Sequence, residues 1–96
     1  MKPIEVLERR QFVDNLLAHN GSELRTVNFH KKDGALRSIT FNPKATKYVK
    51  GTGTAKKNPD IRNVFDVNAD TWKSFDVKRF VSMEVSGVLY TYQEEN

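Results

Sequence analysis

The spacing of apolar residues predicts an amphipathic α-helix over residues 4–19. Apolar side chains recur there along one side of a helical wheel and most charged side chains lie on the other. The members of this apolar stripe are Val6, Phe12, Val13, Leu16 and Leu17. Pro3 suits the first turn, and Asn20-Gly21 predicts the end of the helix. Ile4 and Leu7 lie off the stripe, so either the first turn is frayed or the helix begins later.

From residue 24 onwards the apolar residues alternate with polar ones, which predicts β-strands. The first two strands, residues 24–30 and 35–41, are joined by a turn that contains Asp33-Gly34. A two-residue turn would place the apolar residues of the two strands on opposite faces. A three-residue loop, Lys32-Asp33-Gly34, with Gly34 in the left-handed conformation, pairs Val27 with Ile39 and places all of them on one face. We therefore predict the three-residue loop.

Alternating apolar and polar residues in the second half of the chain predict further short strands. They cover residues 61–67, 71–75 and 81–85, and a helical turn at residues 76–80 precedes the strand at 81–85. Val88, Tyr90 and Tyr92 alternate again, and we expect the two tyrosines to close the sheet. The predicted fold is mainly β, of the α+β class, with an N-terminal helix packed on a small five-stranded antiparallel barrel. Residues 1–96 then form one domain, with the barrel over residues 24–92.

Residues 42–60 interrupt the strand pattern and carry most of the excess positive charge. Asn42-Pro43 and Asn58-Pro59 bracket the segment as turn dipeptides. Over residues 42–62 the cations are Lys44, Lys47, Lys50, Lys56, Lys57 and Arg62. Asp60 is the one acid among them, while the whole chain has a net charge of +4. Two interpretations stay open: a loop of solvated lysines, or a loop that binds a polyanion or an acidic protein surface.

Composition excludes several classes of protein. The 96 residues contain no cysteine, which excludes disulfides, thiolate catalysis and cysteine zinc sites and favours the cytosol. No apolar stretch is long enough for a membrane span, and none follows Met1-Lys2-Pro3, so we expect neither a membrane protein nor a secretory signal.

The sequence gives little support for a catalytic or metal-binding site. His19 and His30 stand alone, without the spacing of a metal site. Asp66, Asp70 and Asp76 lie near one another in the sequence, and Asp70 and Asp76 are better explained as turn and cap residues. The glycine-containing run over residues 50–57 lacks the Gly-Lys-Ser/Thr ending of a phosphate loop. We therefore expect no enzyme activity, no cofactor, no bound metal and no small-molecule substrate.

Aromatic residues are expected mainly in the core of the small barrel. This applies to the strand residues Phe29, Phe41, Phe65, Phe75 and Trp72. Trp72 and Phe75 have opposite parity, so one of them packs under the helix or is exposed and able to stack on a base. Tyr48, within the basic segment, is the best candidate for an exposed aromatic ring.

Several short motifs together resemble a known family. They are residues 27–34 (VNFHKKDG), Asn42-Pro43, residues 56–60 (KKNPD), residues 64–67 (VFDV) and residues 72–75 (WKSF). In this order they look like a family of small phage-encoded proteins with an Sm-like, SH3-type β-barrel, sometimes labelled WYL-like. Lys73 stands where that family usually has arginine. The resemblance implies this fold and a phage origin, and it implies no enzyme activity. Related barrels bind nucleic acid or peptides, an analogy that rests on fold alone.

Two functions are nearly equal candidates on the sequence, with a third behind them. The first is a phage accessory protein of the infected host's cytoplasm that binds nucleic acid through the basic segment and a barrel face. Its candidate contacts are Lys31, Lys32, Arg37, Lys44, Lys47, Tyr48, Lys50, Lys56, Lys57, Arg62 and Lys73, with Arg25 as a further hairpin cation. The second is a protein-binding module that modulates or inhibits a host enzyme or defence factor. The third is an assembly component that oligomerises through exposed strand edges.

Overall fold

The computed structural model describes residues 2–18, 23–43 and 58–93. One helix, α1, spans Pro3–Leu17 and precedes six strands. The strands are β1 (Arg25–His30), β2 (Leu36–Phe41), β3 (Ile61–Asp66), β4 (Thr71–Asp76), β5 (Phe80–Val85) and β6 (Val88–Thr91). A 3-10 turn, Val77–Arg79, joins β4 to β5. The α+β class and the placement of these elements confirm the prediction. The expected number of five strands is wrong, because the alternating segment after Gly87 forms the sixth.

All six strands belong to one antiparallel sheet with the order β4-β3-β2-β1-β5-β6. β1 lies in the centre and pairs along its length with both β2 and β5. Within the described residues, β2 and β3 are joined far less extensively, through the pair Phe41–Asp66 and a hydrogen bond of 3.0 Å from the Val67 amide to the Thr40 carbonyl. The first half of β2, next to the β1–β2 loop, therefore has no partner strand on its outer side in the described part of the chain.

The β1–β2 hairpin has the predicted three-residue loop. Val27 lies opposite Ile39, and the Lys31 amide donates to the Ala35 carbonyl at 2.8 Å, which leaves residues 32–34 as the loop. Gly34 has φ of 90°, a conformation that side chains with a Cβ rarely adopt. The register follows from the face that must be buried, since a shift by one residue would place the apolar residues of the two strands on opposite faces.

The core lies between the concave face of the sheet and α1. It is formed by Val13, Leu16, Val27, Phe29, Ile39, Phe41, Val64, Phe75, Val77, Phe80, Met83 and Val85. Each large apolar side chain buried in this way contributes about 1.5–3 kcal/mol. The first turn of α1 is neither frayed nor absent, since the helix begins at Pro3, and Ile4 and Leu7 are exposed on it.

Two arginines connect α1 to the sheet, and both were expected on polar surface. Arg9 is buried, donates to the Phe80 carbonyl at 2.8 Å and stacks its guanidinium 4.4 Å from the centroid of the Tyr92 ring. Arg25 is 1% exposed and donates to the carbonyls of Leu16 and Leu17, at the end of α1. Its proposed role as a surface contact for nucleic acid is therefore wrong, because its charge is used to cap the helix.

β6 extends the sheet and does not close it. In the described part of the chain it pairs with β5 alone, through pairs that include Met83–Tyr90. Tyr92 packs edge-on against Phe12, with ring centroids 5.4 Å apart, while Tyr90 remains partly exposed. The expectation that the two tyrosines close the sheet is wrong, because one of them instead covers the side of α1.

Candidate nucleic-acid interface: a basic cleft

A cleft of about 440 Å³ lies between the β1–β2 hairpin on one side and β4 and the 3-10 turn on the other. Its apolar floor is formed by Phe29 of β1, Ile39 of β2, Ile61 of β3 and Phe75 of β4. The floor exists because these strands turn their apolar faces inward. The rings of Phe29 and Phe75 stack within this floor, with centroids 5.7 Å apart.

The rim of this basic cleft is cationic. Its charged and polar lining residues are His30, Lys31, Lys32, Arg37, Lys73, Ser74, Asp76 and Arg79. Five of them are lysine or arginine and one is an acid. That acid, Asp76, accepts a hydrogen bond from the Lys78 amide at 2.8 Å and so caps the 3-10 turn. The lining therefore carries a net positive charge, which attracts anionic ligands.

Three of the rim cations have no ion pair with any acid in the described ranges. These are Lys32, in the loop, Arg37, on the exposed first half of β2, and Arg79, in the 3-10 turn. Lys31 lies 3.9 Å from the Asp33 carboxylate, with both side chains exposed, a pair that contributes little. Arg79 donates to the Lys31 carbonyl at 3.3 Å and holds the 3-10 turn against the hairpin.

An ion pair with Asp66 positions the Lys73 side chain at the rim of the basic cleft. Its ammonium nitrogen lies 2.9 Å from the Asp66 carboxylate. Burial raises the pKa of Asp66, but the hydrogen bond from Lys73 and those from the Ala69 and Asn68 amides outweigh it, so the pKa is lowered overall. Asp66 thus holds both the β3–β4 turn and the lysine that the family resemblance singled out.

Asp70 and Asp76, the two aspartates expected to act as turn and cap residues, do so, and Asp66 also holds a turn. Asp66 accepts hydrogen bonds from the amides of Asn68 and Ala69, at 2.9 and 3.0 Å. Asp70 has φ of 54°, a turn conformation, and Asp76 caps the 3-10 turn. The turn conformation of Asp70 and the capping hydrogen bond of Asp76 confirm the interpretation of these two residues, and the role of Asp66 in the turn is an additional finding.

Arg62 lies away from the cleft and binds the helix. Its guanidinium makes two contacts with the Asp14 carboxylate, at 2.7 and 3.0 Å. Its neighbour Asp60 is buried and receives the Arg10 guanidinium at 2.6 Å, with Lys78 at 3.7 Å. The hydrogen bond from Arg10 is the main reason why the pKa of Asp60 is lowered despite burial. Both residues fasten α1 to the barrel, so Arg62 is a poor candidate for ligand binding.

The aromatic side chains behave largely as predicted. Phe29, Phe41, Phe65 and Phe75 are buried. Trp72 is partly buried and meets Phe65 edge-on, with centroids 5.7 Å apart, so it is not an open platform for a base. The predicted contacts Lys44, Lys47, Tyr48, Lys50, Lys56 and Lys57 lie outside the described residues, as does His19.

The structure thus brings together four of the predicted contacts, Lys31, Lys32, Arg37 and Lys73, and separates them from Arg62. Sequence reasoning missed Arg79, which reaches the rim from the 3-10 turn. The sequence did carry a signal, since the predicted helical turn contains two cations, but no pattern along the chain indicated that this turn meets the hairpin loop.

No helix within the described ranges is both long and apolar enough to cross a membrane.

Comparisons with curated proteins and with solved structures give no significant match. A family model described as WYL_2, Sm-like SH3 beta-barrel fold, matches residues 13–81. This span begins within α1 and ends in β5, so it includes every residue that lines the basic cleft. The chain belongs to the WYL_2 family of Sm-like SH3 β-barrels.

Proposed function

We propose that this protein is a non-enzymatic phage accessory protein that binds nucleic acid through the basic cleft, in the cytoplasm of the infected host. The observation that carries the proposal is the charge of the cleft, where five cations surround an apolar floor and the one lining acid is engaged in capping a turn. Phosphates are bound by such clusters of lysine and arginine with little dependence on sequence.

The two parts of the cleft suit two parts of a nucleotide. Arg37 and Lys32, which have no ion pair in the described part of the chain, are available for phosphate oxygens. The apolar floor below them excludes water from the flat face of a base or from a sugar. The basic segment 42–60 leaves β2 just beyond Phe41, and its lysines would add further phosphate contacts.

The proposal is tested by the salt dependence of binding. Fluorescence anisotropy would follow labelled single-stranded DNA and RNA of about 15 nucleotides, a length typical of such sites. Five phosphate contacts predict that affinity falls about 100-fold between about 50 and about 200 mM salt. Absence of binding at the lower concentration, or an affinity that does not respond to salt, would contradict the proposal.

The second candidate function is a protein-binding module that modulates a host protein. One specific observation favours it, namely that the outer edge of β2 beside the cleft is unpaired in the described part of the chain. An unpaired strand edge is a surface on which an extended peptide can add a strand.

A further inference from the structure

The direction of the backbone groups of β2 follows from the hairpin. The Lys31 amide bonds to the Ala35 carbonyl, so the odd-numbered residues of β2 direct their amides and carbonyls towards β1. The even-numbered residues therefore direct theirs the other way. The Thr40 carbonyl confirms this, since it accepts the Val67 amide from the β3 side at 3.0 Å.

Leu36 and Ser38 are the residues left without a neighbour on that outer side. β3 ends at Asp66, which pairs with Phe41, and the chain then turns at residues 67–70, so no backbone partner for Leu36 or Ser38 on that side occurs in the described ranges. Both residues are exposed, Leu36 by 63%. Their two amides and two carbonyls form a short open strand edge along the mouth of the basic cleft.

The side chains beside this edge specify what kind of strand would fit. Arg37 lies opposite the buried Phe29, so it shares the cleft side of the sheet with Ile39. A strand added along β2 would direct every second side chain into the cleft, over the apolar floor and among the cationic rim. Inward positions thus favour apolar or acidic side chains, and a lysine or arginine there would be repelled by the rim.

We infer that the open edge of β2 at Leu36 and Ser38 binds an extended, acidic peptide segment of a partner protein as an additional strand. The geometry supplies the backbone pairing, and the rim cations Lys31, Lys32, Arg37 and Arg79 supply complementary charge. This interaction goes beyond nucleic-acid binding, because it depends on backbone hydrogen bonds that a phosphate chain does not need.

The edge can be blocked without altering any charge. Leu36→Pro removes an amide that points away from β1, so every hydrogen bond between β1 and β2 is retained, and proline is tolerated at such edge positions. Leu36→Val is the matched control, since it keeps the amide and a branched apolar side chain. Circular dichroism and urea unfolding would establish that both variants are folded.

The probe is a fluorescent synthetic peptide of about seven residues with alternating valine and glutamate, a length that covers the edge. We expect the wild type and Leu36→Val to bind it, and Leu36→Pro to bind at least about tenfold more weakly. A peptide with lysine in place of glutamate should not bind. The labelled oligonucleotide should bind Leu36→Pro and wild type equally, which separates this inference from the proposed function.

Amide hydrogen exchange gives a second readout that needs no variant. Addition of the glutamate peptide to the wild-type protein should slow exchange at the Leu36 and Ser38 amides, because they become hydrogen-bonded. Unchanged exchange at both amides, or equal peptide affinity of a folded Leu36→Pro protein and the wild type, would overturn the inference. A further outcome would also overturn the inference, namely that Arg37→Gln abolishes peptide binding while Leu36→Pro leaves it intact. The peptide would then be attracted by charge alone and would not add a strand.

Discussion

The guanidinium of Arg25, at the start of β1, donates a hydrogen bond to the backbone carbonyl of Leu16, near the end of α1. A second contact, of 3.3 Å, reaches the carbonyl of Leu17. The last carbonyls of a helix have no partner within the helix, and they lie at its negative end. One buried cation therefore caps α1 and joins it to the central strand of the sheet.

Replacement of Arg25 should destabilise the protein. Arg25→Met leaves the helix carbonyls without their buried donor, and we expect the free energy of unfolding to fall by about 2 kcal/mol. Urea unfolding followed by circular dichroism measures this. Arg37→Met is the control, since Arg37 is exposed and should change stability by less than about 0.5 kcal/mol. Equal effects of the two substitutions would show that the cap contributes nothing.

The sequence predicts the register of the β1–β2 hairpin, but it does not predict which of the hairpin arginines is buried. The parity of Val27 and Ile39 was sufficient to predict the hairpin register, because strand residues alternate strictly between two faces. No comparable rule distinguishes Arg25, which is buried, from Arg37, which is exposed, since both are cations in predicted strands. That difference depends on where α1 ends in space.

The candidate site follows the same division. Each of the three lysines could be identified as a candidate contact from the sequence. Lys31 and Lys32 lie at the tip of a predicted hairpin, and Lys73 lies in a motif of the family resemblance. Their meeting with Arg79 around one cleft depends on how β4 and the 3-10 turn pack against the β1–β2 hairpin, which is a tertiary feature. Alternation along a strand predicts which face is buried but does not predict how far two strands remain paired.

Substitution of Gly34 in the β1–β2 loop should destabilise the protein through its backbone conformation and not through a steric clash. Its φ is 90°, and a Cβ added there would meet nothing within 4 Å. Gly34→Ala should therefore lower the free energy of unfolding by about 1 kcal/mol through backbone strain without a steric clash. Gly34→Asn should cost less, because asparagine tolerates the left-handed region better. Thermal unfolding of both variants tests the order, and asparagine costing more than alanine would contradict it.

Asp60 should make the protein sensitive to acid. Its pKa is lowered in the folded state, chiefly by the hydrogen bond from Arg10. A lowered pKa means that the stabilisation is present above the ordinary aspartate pKa of about 3.9 and is lost as pH falls through the folded-state value. At pH 7 we expect Asp60→Asn to lower the free energy of unfolding by about 2 kcal/mol.

The difference between wild type and Asp60→Asn should shrink as the pH is lowered below about 4 and disappear below the lowered pKa of folded Asp60, where the carboxyl group is uncharged like the amide. Urea unfolding at several pH values measures it. Asp33→Asn is the control, because the Asp33 side chain is 65% exposed and its pair with Lys31 is long. A difference for Asp60→Asn that stays constant from neutral to acid pH would show that the charge of Asp60 is not what stabilises the fold.

Cations that are free and cations that are paired should differ in their contribution to nucleic-acid binding. Arg37 has no acid partner in the described ranges, while Arg62 is held by the Asp14 carboxylate at 2.7 and 3.0 Å. Arg37→Ala should therefore remove one phosphate contact and reduce the slope of log affinity against log salt by about 0.7 for a single strand. Arg62→Ala should leave that slope unchanged.

Anisotropy titrations of both variants over a range of salt concentrations, with the labelled single strands, measure the two slopes. Arg62→Ala removes a partly exposed ion pair, so its stability should fall by no more than about 1 kcal/mol and the protein should remain folded for the comparison. A slope reduced equally by both substitutions would place the bound strand across α1 as well as the cleft. A slope reduced by Arg62→Ala alone would exclude the basic cleft as the binding surface, because Arg62 contacts α1 and does not line the cleft.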